Sequence, residues 1–203
     1  LMEALKMPVY KAIELSRIGN IIPRHKLTLV TGLPGTGKSF TLLKFLNCQG
    51  IKPFVFNLDD DPTLIKFETL GMSNYKPLVK GFMEGEVTDL DGEVIVIDTY
   101  SRLISYLDLK NTLEDQLWIT NTLLSLCEKK NYTIIIIGHP ADFVTKSSVF
   151  NDNPELARSC AEHLHFDRIM ATGLKNNPPM YRFSIFKGRD IGGAQSIDNW
   201  MRD

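Results

Sequence analysis

Eight consecutive residues, Gly32-Leu33-Pro34-Gly35-Thr36-Gly37-Lys38-Ser39, fill every fixed position of the spacing G-x-x-x-x-G-K-[ST]. Glycines at these places let successive backbone N–H groups converge on phosphate oxygens without interference from a Cβ. A helix that begins at this point adds the positive end of its dipole. Lys38 is then expected to reach β- and γ-phosphates, the Ser39 hydroxyl suits Mg²⁺, and Phe40 is the last of the residues expected to bind ATP. A second signal is Val94-Ile95-Val96-Ile97-Asp98, four apolar residues and then a carboxylate. Such a carboxylate at the C-terminal end of a strand stands where ligands bind in open α/β sheets, and Asp98 is expected to support Mg²⁺ through water. Both segments point to the same chemistry: holding a triphosphate and its metal.

These residues need elements to position them, and the chain supplies an alternation of strands and helices. Lys26–Thr31 reads as a strand, Lys38–Gln49 as a helix closed by Gly50, and Pro53–Leu58 as a strand. A helix is expected from Pro62 to about Leu70, with Gly71 as its C-cap. Val94–Ile97 and Thr133–Ile137 read as strands on either side of a helix over Asn111–Lys130, spaced at Leu113, Leu117, Thr120, Leu124 and Cys127. Leu27–Val30, Val94–Ile97 and Ile134–Ile137 are almost continuously apolar, the pattern of a parallel sheet covered on both faces. Beyond Asp167 the texture changes. Asp167–Thr172, Met180–Lys187 and Ser196–Met201 are expected as short antiparallel strands at a sheet edge, with Asn176-Asn177-Pro178-Pro179 as a turn. Pro8–Arg17 reads as a short amphipathic helix, followed by a turn at Gly19-Asn20 and a stop at Pro23. The expected fold class is therefore α/β: a mostly parallel twisted sheet with helices on both faces and antiparallel edge strands. Residues 1–203 are read as one domain, with 1–24 as an N-terminal helical or linker segment.

Composition narrows the function classes. The 203 residues carry a formal net charge of −1, so any hold on a polyanion must come from a local patch. At 43% hydrophobic and 23% charged residues, the chain reads as globular. Three cysteines at Cys48, Cys127 and Cys160 have no metal-ligand spacing and are expected as reduced thiols. No apolar run approaches the ~18 residues of a membrane span, and residues 1–11 lack the apolar core of a signal peptide, so a cytoplasmic setting is expected.

The order of these motifs resembles the RecA-like group of P-loop ATPases, and particularly the DnaB- and RepA-like hexameric helicases. The likeness runs over about residues 17–203 and is carried by Ile22-Pro23-Arg24-His25-Lys26-Leu27-Thr28-Leu29-Val30-Thr31-Gly32 and by Asp98-Thr99-Tyr100-Ser101-Arg102. The resemblance implies a Walker A loop at 32–39 and a Walker B carboxylate at Asp98. It implies a catalytic base at the end of the second core strand. Aligning Asp61-Pro62 with the family's Glu-Asp-Pro puts Asp60 there, one methylene shorter than the family's glutamate, with Asp59 as the alternative. It implies a γ-phosphate sensor at His139, which ends the Ile134–Ile137 strand. Finally, Phe186-Lys187-Gly188-Arg189 is similar to a tail motif that projects into the neighbouring subunit's site, with Arg189 as finger and Lys187 as its assistant. An arginine supplied in trans contributes roughly 10³–10⁵ in rate in such enzymes.

By the same resemblance, two loops would grip single-stranded DNA or RNA: about Arg102–Lys110, and about Ala141–Ser159 with Lys146, Ser147 and Ser148 as backbone contacts. The implied protein is a homo-oligomer, a hexameric ring in a bacterial, plasmid or phage setting, acting as an ATP-driven helicase or translocase. The alternatives are a RecA-core recombination or strand-annealing ATPase and a KaiC-like regulatory ATPase.

Overall fold

A computed structural model of the chain describes residues 16–58, 74–87, 90, 92–139, 152–169, 180–188 and 196–198. The expected helix at 62–70, the turn at 176–179 and most of the expected N-terminal helix lie outside these.

The centre is a seven-stranded sheet. Its strands in chain order are β3 (Leu27–Thr31), β4 (Phe54–Asn57), β5 (Val94–Asp98), β6 (Thr133–Gly138), β7 (Glu162–Ile169), β8 (Met180–Gly188) and β9 (Ser196–Asp198). Across the sheet they run β4-β5-β6-β3-β7-β8-β9. The first five are parallel and the last two join antiparallel. A separate two-stranded ladder, β1 (Arg17–Ile18) with β2 (Ile22–Pro23), precedes them. The α-helices among the described residues are α1 (Lys38–Cys48), α2 (Val79–Glu84), α3 (Tyr100–Tyr106), α4 (Leu113–Lys130) and α5 (Pro154–Ser159).

The apolar runs explain the layering. Every residue of β3, β5 and β6 is buried, and successive side chains enter two different cores. Leu27, Leu29, Ile95, Ile97, Ile134 and Ile136 pack on one face with Phe82, Leu103, Ile119, Leu123 and Leu156 from α2 to α5. Val30, Val94, Val96, Ile135 and Ile137 pack on the other with Leu42, Leu43, Phe45 and Leu46 of α1. Alternation by two sends each neighbour to the opposite side, and each fully buried aliphatic side chain is worth about 1.5–3 kcal/mol.

Helix α4 shows how local chemistry fixes an element. The Thr112 hydroxyl accepts from the Asp115 N–H at 3.3 Å while Thr112 N–H donates to Asp115 Oδ2 at 2.9 Å, a reciprocal cap at the helix start. Asn131 closes the other end at φ 56°, in the left-handed region. The buried stripe is Ile119, Thr120, Leu123 and Cys127, whereas Leu113 is 69% exposed. Of the expected stripe, Thr120 and Cys127 are buried and Leu124 packs against the core, but Leu113 and Leu117 face solvent; Ile119 and Leu123 take the central places.

Other expectations are corrected. Arg17 belongs to a strand, not to a helix; its guanidinium reaches Glu162 at 3.0 Å and ties β1 to the start of β7. The segment after Asp98 is helical over Tyr100–Tyr106 where a loop from Arg102 is expected, and Pro154–Ser159 is helix within the expected second loop. The first tail strand begins at Glu162, five positions before Asp167, and runs parallel to β3.

Candidate nucleotide-binding site

The glycine loop leaves the C-terminal end of β3 and enters α1 at Lys38. Gly35 and Gly37 hold φ of 72° and 86°, which side-chain-bearing residues rarely adopt, and Gly37 is the N-cap of α1. Gly32 is required for a different reason: a Cβ there would lie 2.5 Å from the Phe166 carbonyl and 2.9 Å from Lys38 Cδ. Thr36 Oγ1 donates to the Leu33 carbonyl at 2.7 Å, which closes the loop on itself. Leu33, Pro34, Gly35, Gly37 and Phe40 are exposed, Thr36 and Ser39 are half-buried, and Lys38 is buried.

Lys38 is the pivot. Its Nζ donates to the Leu33 carbonyl at 3.0 Å and to Nδ1 of His139 at 3.1 Å. An ammonium has only donors, so Nδ1 of His139 accepts and the ring proton sits on Nε2. Burial pushes the Lys38 pKa down to about 8, and the negative charge of Asp98 opposes that shift. The group stays charged at neutral pH. A buried ammonium next to an open glycine loop is poised for an anion, because an oxyanion supplies the compensation that burial removed.

Strand order puts the remaining groups around it. β6 lies between β3 and β5, so His139 at the end of β6 stands between the loop and Asp98 at the end of β5. Asp98 is 5% exposed. β4 ends at Asn57, paired with Asp98, and Leu58 N–H donates to the Asp98 carbonyl at 2.7 Å. Asp59 and Asp60 follow in sequence but lie outside the described residues, as do Lys146, Ser147, Ser148 and Arg189. β8 carries the chain away from the phosphate loop. Lys187 pairs with His163, which is level with Leu29, and Gly188 pairs with Glu162, level with Thr28.

The donor set fits Mg²⁺ bound chiefly through phosphate. Among the described residues no group of three or more His, Cys, Asp or Glu side chains could hold a metal, and one buried carboxylate with one hydroxyl is what a phosphate-borne Mg²⁺ needs.

Two solved structures share the fold of this chain. The RadB recombinase superposes with a TM-score of 0.57 at 17% identity, over 86% of this chain and 86% of that chain. The flagellar accessory protein FlaH from Methanocaldococcus jannaschii gives 0.54 at 16%, over 85% and 82%. The fold is RecA-like. No protein-family model matches the sequence and no curated protein matches it, so the likeness is one of fold.

The RecA-like core also contains polar residues that motif reading passed over. Thr31, His163, His165 and Asp167 line the side of β3 and β7 next to the loop. Their signal in the sequence is the alternation His163-Leu164-His165-Phe166-Asp167, with polar and apolar residues on opposite faces.

Proposed function

We propose that this chain is a RecA-core ATPase, binding ATP with Mg²⁺ at the Gly32–Ser39 loop, and that it works on single-stranded nucleic acid as a recombination or strand-annealing protein. The observation that carries the reading is the shared ammonium. Lys38 bridges its own loop and His139, so whatever docks on Lys38 competes with the residue that leads into segment 140–151. The recombinase reading is favoured over an unwinding motor because the RadB recombinase is among the proteins sharing this fold.

In this account Lys38 holds the β- and γ-phosphates, the Ser39 hydroxyl would bind Mg²⁺, and Asp98 would support the metal shell through water. Bound Mg²⁺ supplies charge neutralisation between phosphate oxygens. Asp60 (or Asp59) orients the attacking water, and His139 gives up its Lys38 hydrogen bond and donates a ring N–H to the γ-phosphate. Arg189, assisted by Lys187, acts on a neighbouring copy. The course of β8 away from its own phosphate loop supports that trans role. Lys146, Ser147 and Ser148 contact the strand backbone. A hexameric helicase or translocase uses the same groups and differs in outcome.

The test is to measure ATP turnover with and without single-stranded DNA, then to assay annealing of complementary strands and displacement on a forked duplex. The reading expects strand-stimulated turnover and annealing without displacement. ATP-dependent displacement would move the assignment to a helicase, and turnover indifferent to nucleic acid would move it to a regulatory ATPase.

A further inference from the structure

Next to the phosphate loop lies a line of buried polar side chains that the chemistry above leaves unused. Thr31 is the last residue of β3, directly before Gly32. Its Oγ1 stands 2.9 Å from Nε2 of His163 and 3.1 Å from Nδ1 of His165. The two histidines are 4% and 7% exposed, and Nε2 of His165 lies 3.4 Å from Oδ1 of Asp167, whose side chain reaches solvent. β7 touches the loop at a second place, where the Phe166 carbonyl fills the space a Cβ on Gly32 would need. The loop is thus seated on β7 by one hydroxyl and one carbonyl.

A hydroxyl has one hydrogen, which constrains the chain. With both rings neutral, one arrangement satisfies the three contacts. His163 Nε2–H donates to Thr31 Oγ1, Thr31 donates to Nδ1 of His165, and His165 Nε2–H donates to Asp167. If His165 gains a proton at Nδ1, that nitrogen becomes a donor. Thr31 must then accept from both rings and turn its own hydrogen toward the Leu164 carbonyl, 3.5 Å away.

Among the described residues, the charged groups around His165 are Lys38 of α1 and Asp167 of its own strand, with Arg182 of β8 paired opposite Asp167. Burial holds the His165 imidazole below its ordinary range and Lys38 adds to the depression, while Asp167 opposes it. An anion docked on Lys38 cancels the Lys38 contribution. We propose that His165 is a positioning residue for the phosphate loop, its protonated fraction rising at the expense of solvent protons when a triphosphate docks beside Lys38, and that the protonated ring turns the Thr31 hydroxyl. The inference rests on the nucleotide reading above.

The experiment is calorimetric titration of the full chain with a non-hydrolysable ATP analogue and Mg²⁺ at pH ~6.5, in PIPES and in imidazole buffers, whose ionisation heats differ. His165→Asn is the comparison: its side-chain oxygen can still accept from Thr31 but cannot titrate. The wild type is expected to take up a fraction of a proton per site more than the variant. Binding with equal proton uptake in both overturns the inference and leaves the nucleotide reading standing. No binding heat in the wild type overturns both. Should His165→Asn fail to fold, the wild-type His165 ring resonance is titrated by NMR with and without the analogue. A rise in its midpoint on binding supports the inference, and an unchanged or lower midpoint overturns it.

Discussion

Replacing Lys38 by methionine gives the most quantitative test of how the site is built. The Lys38 side chain is buried, at 4% exposure, and its pKa is pushed from 10.5 down to about 8, burial outweighing the attraction of Asp98. Between those two values the unfolded chain still holds a proton that the folded chain has released. Stability contributed by this group is therefore missing at neutral pH and appears as pH rises through the window. At about 1.36 kcal/mol for each tenfold change in proton affinity, the full difference is about 3 kcal/mol, and about 2 kcal/mol of it has accrued by pH ~9.5. Lys38→Met lacks the titrating group and lacks this gain. Urea unfolding of both proteins at pH 7 and at pH ~9.5 should show the wild type gaining about 2 kcal/mol relative to the variant, since groups common to both cancel. Tyr100 is common to both, with its pKa pushed up to about 12 chiefly by burial. A stability difference that stays constant with pH would refute the claim that Lys38 is held charged at a desolvated site.

The other expectations follow from single contacts. Gly32→Ala forces a Cβ to 2.5 Å from the Phe166 carbonyl. It should weaken binding of an ATP analogue at least roughly tenfold and destabilise the fold by about 1–3 kcal/mol, readable by titration and melting. His139→Ala removes the acceptor of the Lys38 bond; turnover should fall roughly 10- to 100-fold with little change in nucleotide affinity, and a pure affinity loss would count against a sensor role. Arg17→Met leaves the buried Glu162 carboxylate without the guanidinium 3.0 Å away and should cost about 3–5 kcal/mol in urea unfolding. Thr112→Ala removes the α4 cap and should cost about 1 kcal/mol with nucleotide binding unchanged.

The place of the glycine loop and the strands around it were legible because their signals are local. Gly32, Gly35 and Gly37 are needed for close approach or left-handed backbone, and fully buried strands such as β5 and β6 must be apolar throughout. Asp98 and His139 were legible as polar residues ending apolar strands. What escaped was set by tertiary contact. The stripe of α4 depends on which side meets the sheet, so Leu113 looked like core and is solvent-facing. The start of β7 was hidden because Glu162, His163 and His165 are buried polar residues, compensated by Arg17 and Thr31, which are far away in sequence. The helix over Tyr100–Tyr106 begins two residues after Asp98 and spans fewer than two turns, too short for a repeating apolar stripe to stand out.

Docking of a triphosphate on the buried ammonium of Lys38 is tested by ATP turnover of the wild type and of Lys38→Ala under identical conditions. Mg²⁺-dependent phosphate release is expected from the wild type and none above background from the variant. Undiminished release from Lys38→Ala would contradict it.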